Sequence, residues 1–297
     1  MSTSQTSHHQ HHQHHRHKAS PSDVKLFKCI PVPKGSFEDV HVLQSLRMAT
    51  IHNVFIRAYN SILYYSAEVE PDDAKRVNSF MRYCDLVNEA IHLHHEIKEE
   101  HYYPWLDDRL GVGAMAENVK RHREIQKPFV AFEELVTSIR ETQATFDPDD
   151  FRAAIYNFMT PFVEHLKDEI DTLRPHRMKQ IPEDELWRME LDTEVIIKKK
   201  SHPTTSVQLM MINSDGKYGV WLPVSPPTIW VCMNTTYYLN TDLWAFGACD
   251  RHRVVKPQFI AYEPELEHES HSKHSTHHEH DAKTAEKSHR HHQKEDA

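Results

Sequence analysis

Apolar residues recur every third or fourth position through four long stretches of the chain, the period of helices that each bury one face. Residues 38–67 carry the stripe Ala49, His52, Ile56, Tyr59 and Leu63. Residues 72–103, opened by Asp72-Asp73 and closed by Pro104, carry Cys84, Val87, Ile91, His95, Glu99 and Tyr102. Residues 113–142 carry Met115, Val119, His122, Phe129, Phe132 and Val136. Residues 148–174 open at Asp147-Pro148, carry Phe151, Ile155, Phe158, Phe162, His165, Glu169 and Leu173, and stop at Pro175. Four helices of this length with short connections predict an all-α fold, an up-down-up-down four-helix bundle over residues 38–175.

The stripes contain side chains that an apolar face excludes. Each helix turns one histidine inward: His52, His95, His122 and His165. Two of them are followed four residues later by a glutamate, Glu99 and Glu169, on the same face. A lone inward histidine is more often a hydrogen-bonded core residue, but four on consecutive helices with two His-x-x-x-Glu pairs point to a metal centre. Four imidazoles and two carboxylates exceed one tetrahedral zinc and match two ions sharing bridging carboxylates. Glu96 lies at the edge of this face and could add a ligand. On a regular helix His94 points elsewhere, His92 lies one turn away as a supporting residue, and Glu100 stands at the rim. His101, His176, His202 and His252 read as ordinary surface or core histidines.

Beyond the bundle the pattern weakens. Residues 183–200 read as a fifth, charged helix. Residues 207–212 and 217–222 flank Asn-Ser-Asp-Gly and read as a hairpin, and residues 228–243 as another short helix. Residues 176–265 thus form a C-terminal extension whose Trp221, Trp230, Trp244 and Phe246 need a surface to cover, either the bundle or a protein partner. Of the 27 histidines, 16 crowd into residues 8–17 and 268–292, so residues 1–22 and 266–297 read as disordered His-rich tails able to bind Cu, Ni or Zn weakly.

Composition excludes several classes. Only six glycines occur and no Gly-rich phosphate loop is present. A formal charge of −9 disfavours nucleic acid as a partner. The uncharged run 218–241 is interrupted by prolines and polar residues, so no membrane span is expected. Four scattered cysteines and the lack of an apolar leader predict a cytoplasmic or nuclear protein with reduced thiols. No organic-substrate pocket and no reductase domain are evident, and no catalytic residue is assigned.

The residues carrying the metal pattern are His52, the run His94-His95-Glu96-Ile97-Lys98-Glu99-Glu100 leading to Tyr103-Pro104-Trp105, His122, and Glu164-His165-Leu166-Lys167-Asp168-Glu169. In this order they resemble the hemerythrin-like, His-His-Glu cation-binding family, and the run 242–250 resembles a C-terminal extension of its fungal members. The resemblance implies a bundle around a non-haem diiron centre, two Fe joined by an oxo or hydroxo bridge. His52 and His95 would hold one iron, His122 and His165 the other, with Glu99 and Glu169 bridging and Glu96 as an extra carboxylate. Oxygen carriers of the family place a second histidine four residues after that of the third helix, where this chain has Gln126. The expectation is therefore iron or oxygen sensing or storage rather than reversible O2 carriage. The alternatives are a diiron oxidase, peroxidase or NO-handling enzyme, and an interaction protein gated by iron.

Overall fold

The computed structural model describes residues 20–202, 204–219 and 223–264. Residues 1–19 and 265–297, which hold nearly all of the expected His-rich tails, and Trp221 lie outside the described residues, whereas Pro21–Asp23 forms a 3-10 turn. Among the described residues ten α-helices form and no strand does, only an isolated bridge between Cys249 and Val255.

The bundle consists of α1 (Val40–Ser66), α2 (Ala74–Ile97), α4 (Ala116–Arg140) and α5 (Pro148–Thr172). Its starts follow from local chemistry. Asp39 accepts from the His41 and Val42 amides, Asp73 from Arg76, and Asp147 from Asp149 and Asp150, each satisfying amides that have no helical partner. Pro148 follows Asp147 in the first turn, where its missing N–H is not needed.

The second helix does not end at Pro104. Residues Lys98–Tyr102 form a π-helical turn, and α3 (Tyr103–Leu110) carries the chain onward. Pro104 falls in the first turn of α3, where the wider turn before it accommodates the ring.

Helix α1 is the centre of the molecule. It packs on α5 and α2 on the bundle side, and on α6 (Pro175–Met178), α7 (Glu183–Lys200) and both flanking segments on the other. Its outer face is accordingly polar but buried. Asn53 bonds both backbone groups of Ile30 (2.7 and 2.8 Å) and Asn60 both of Phe27 (2.8 and 2.8 Å), strapping the N-terminal lead-in to the helix. Arg57 forms two 2.7 Å bonds to the Glu263 carboxylate and ties down the C-terminal end.

Helix α7 appears where a charged helix is expected. The expected hairpin does not: residues Ser206–Met211 form α8 instead, with Leu209, Met211 and Ile212 buried. Helices α9 (Pro226–Asn234) and α10 (Thr241–Trp244) follow. Trp244 and Phe246 are buried, Phe246 against Phe80, Tyr83 and Tyr65 of the bundle, whereas Trp230 stays 63% exposed. All four cysteines are buried free thiols. No helix among the described residues is long and apolar enough to cross a membrane.

Candidate metal centre

Helix α5 supplies His165 and Glu169, one turn apart and fully buried. Glu169 Oε1 accepts from the Tyr103 hydroxyl at 2.6 Å. Its Oε2 accepts from the Lys98 ammonium at 2.6 Å and faces His52 Nε2 at 3.4 Å and His165 Nε2 at 3.6 Å. Helix α1 supplies His52, whose Nδ1 lies 2.9 Å from the Leu166 carbonyl. A carbonyl can only accept, so Nδ1 carries the proton and Nε2 presents a lone pair inward. Helix α4 supplies His122, whose Nδ1 lies 2.6 Å from Glu99 Oε1. Glu99 thereby orients His122 from the rim, its own side chain 41% exposed.

Helix α2 contributes on both sides of its inward line. His95 stacks on His122, ring centres 4.0 Å apart, with its edge to Phe162. His94 faces α1, its Nε2 3.4 Å from that of His52. Between them Lys98 points straight at Glu169. Regular helical spacing puts His95 and Glu99 on the inward line and turns His94 away; the structure instead brings His94 to the centre and gives the middle position to Lys98. The signal was present: Lys98 stands two turns, seven residues, after Ile91, which itself stands seven after Cys84, both wholly buried. On a helix, His94 and His95 then fall about 60° and about 40° to either side of Ile91, with Lys98 within about 20° of it.

Glu96 does not join the cluster. It is exposed and bonds the Lys200 ammonium at 2.7 Å. His92 is also exposed and pairs with Glu133 at 2.7 Å, and Gln126 points to solvent. Helix α4 therefore offers no second ligand one turn beyond His122.

The electrostatics keep every central imidazole neutral. Burial, reinforced by the Lys98 charge, depresses His122 to about 2 and holds His94 and His95 well below their ordinary value. Burial depresses His165 to about 3 against the opposing pull of Glu169, and lowers His52 likewise. Burial by itself would raise Glu169, but Lys98 and then His52 reverse this and hold the carboxyl well below the usual range. The centre is thus a carboxylate among unprotonated imidazoles, the donor set of a first-row transition metal.

A cation fits these residues. His122, His165 and Glu169 offer one ligand atom each, all within 4.8 Å of one another. His95 Nε2, His122 Nε2 and both nitrogens of His165 are buried without a hydrogen-bond partner. Buried polar atoms are rarely left unpaired, and here the orphans converge on one place.

Residues 47–176 match the family model described as Hemerythrin HHE cation binding domain. The chain carries a hemerythrin HHE domain. A fungal relative, the dimeric xanthone biosynthesis cluster protein R11 of Cryptosporiopsis sp. (strain 8999), is 30% identical over 171 residues. The match covers 54% of this chain and spans 62% of that relative's length. No solved structure matches. The all-α hemerythrin bundle and its cation-binding character therefore stand together with the geometry.

Beside the HHE centre lies a cavity of about 450 Å³, which the sequence did not reveal. Helices α1, α2, α7 and α8 enclose it, with apolar walls including Ile51, Leu93, Ile197 and Met210. His94 and Lys98 form part of its lining, so the same two side chains face both the cavity and the centre. The cavity exists because the C-terminal extension does not pack flush on the bundle: α7 and α8 bridge over the α1–α2 groove.

Proposed function

We propose that the HHE bundle binds iron at its centre, with His122, His165 and Glu169 as primary ligands and His52, His95 and Glu99 placed to complete or orient the site. The convergence of unpartnered imidazole nitrogens on one carboxylate supports this most directly. Glu96, held by Lys200 at the surface, is not part of the proposed set. When bound, iron would supply reversible redox chemistry and affinity for O2 or related small molecules. The residues' own part is clear from their contacts: Leu166 and Glu99 fix the His52 and His122 rings, Tyr103 holds one Glu169 oxygen, and burial keeps water and protons from the lone pairs. With α4 lacking a second ligand, the proposal favours iron or oxygen response over reversible carriage.

A metal that binds only the folded bundle raises its melting temperature, whereas ions caught by the His-rich tails do not. Anaerobic ferrous iron is expected to raise the Tm of the full chain, and His165→Ala to remove most of that rise while leaving tail binding intact. An equal rise in wild type and His165→Ala would refute the assignment.

One observation favours a second reading, a role in acting on or sensing an organic molecule. The cavity is large enough for a multi-ring apolar compound and ends on His94 and Lys98. The similarity to a protein named for a xanthone biosynthesis cluster is in keeping with an aromatic ligand. A hydroxylated polycyclic aromatic should bind saturably by calorimetry, and Leu93→Trp, which crowds the cavity, should weaken that binding. Unaltered titration of Leu93→Trp would rule the cavity out.

A further inference from the structure

The two halves of the centre differ. On the α4–α5 side, His122 Nε2 and His165 Nε2 are buried without partners next to Glu169. His95 Nε2, on α2, is likewise unpartnered, but its ring stacks on His122 and so belongs to this side. Where α1 faces α2 the polar atoms are already paired. His52 Nε2 and His94 Nε2 lie 3.4 Å apart, close enough to share a proton, and the Lys98 ammonium sits 2.6 Å from Glu169 Oε2. Lys98 is buried, its side chain 3% exposed, and Glu169 is its only hydrogen-bond acceptor among the described residues. Moving it off that oxygen would strand a charge in the core, the most costly arrangement a buried ion can meet.

A second metal ion on the α1–α2 side would need that same Glu169 oxygen, together with His52 and His94. The space and the charge requirement are both already met by Nζ. Tethering the cation to α2 also removes any loading step on this side, since a covalently held charge cannot dissociate.

We propose that the Lys98 ammonium stands in for a second metal ion, so that the bundle holds one iron, on His122, His165 and Glu169. The inference rests on the iron-binding reading above. It departs from the diiron arrangement that the sequence resemblance implies, and the departure lies in a single side chain. A glutamate at position 98 would restore a carboxylate four residues after His94, facing Glu169 across the centre.

The test uses full-length protein loaded with ferrous iron and oxidised in air, with His165→Ala subtracted as the measure of tail-bound iron. Wild type is expected to hold one bundle iron per chain with the paramagnetic resonance of isolated high-spin ferric ion. Lys98→Glu is expected to double the bundle iron and to lose that resonance, because two bridged ferric ions couple to a non-magnetic ground state. Wild type that already shows a coupled, resonance-silent pair overturns the proposal. Wild type with no iron above the His165→Ala background instead overturns the iron-binding reading, and the one-ion proposal with it. Should circular dichroism show Lys98→Glu unfolded, the stoichiometry and resonance of wild type still decide.

Discussion

Single atoms decide what the centre can do. Five imidazoles share one small volume, and burial keeps all five unprotonated at neutral pH. Their depressed values set a pH dependence for the metal-free protein. In the unfolded chain these groups take up protons near their ordinary value of about 6.5. In the folded chain they refuse them until far lower, about 2 for His122 and about 3 for His165. Between those limits the unfolded state binds more protons, so stability falls as pH drops below about 6.5. Glu169, also depressed, adds to the loss in the acid range because the unfolded carboxyl protonates first. Urea midpoints of metal-free protein should therefore decline steadily from pH 7 to pH 4. His165→Gln, which removes one of the titrating groups, should flatten the decline. A midpoint rising over that range would contradict the placement of the imidazoles.

Much of the centre was legible at this scale. His52, His122, His165 and Glu169 lie where helical spacing puts them, because α1, α4 and α5 are regular at those positions. Helix α2 departs from the expected orientation by a fraction of a turn. With His94 and His95 adjacent, the inward line passes between them, and an apolar stripe that ends in lysine does not look like a stripe. What hid Lys98 was its chemistry, since buried lysine is rare without a paired acid, and the acid lies 71 residues away on α5.

At the scale of elements, the bundle helices and the charged α7 follow from periodicity and from their Asp caps. The π turn after α2 does not, because nothing in Lys98–Tyr102 breaks the 3.6-residue pattern until Pro104. Helix α8 defeated the hairpin reading for a different reason. Leu209, Met211 and Ile212 are all buried, and Gly247 backs directly against Ile212, so close contact with the extension selects a helical turn over an exposed strand pair. A β-carbon at Gly247 would lie 2.8 Å from Ile212 Cδ1. Gly247→Val should thus lower the urea midpoint and loosen the extension, while Gly219→Ala, where a β-carbon meets nothing within 4 Å, should cost only the strain of its φ of 68°. The straps on α1 are equally specific. Asn53→Ala removes the side chain from both backbone bonds of Ile30 and leaves buried groups unsatisfied, a cost of about 1–3 kcal/mol readable by chemical denaturation.

Across the molecule as described, residues 20–46 and the described part of 177–264 pack on the bundle as structural partners. Arg57 on α1 is nearly inaccessible, and Glu263 near the end of the described chain neutralises it. Glu263→Gln leaves that guanidinium without its counter-charge, and a loss of about 3–5 kcal/mol is expected, comparable with other broken buried pairs. Truncation before residue 257 should act in the same direction, which limited proteolysis followed by thermal melting would show. Trp244 and Phe246, read from sequence as needing cover, obtain it from this packing. Trp230 does not, and stays 63% exposed on α9. The cavity could not be read from sequence because it is a property of spacing between elements, set by how α7 and α8 cross the α1–α2 groove.

That cavity and the HHE centre have two walls in common, His94 and Lys98. If the proposed guest and the proposed cation both bind, they touch the same two side chains, and their affinities are expected to be coupled. Whatever factor the cation applies to the guest's dissociation constant, the guest must return to the cation's. Helix α2 is then a balance beam, and a measurement of either affinity at two concentrations of the other species reads the tilt directly.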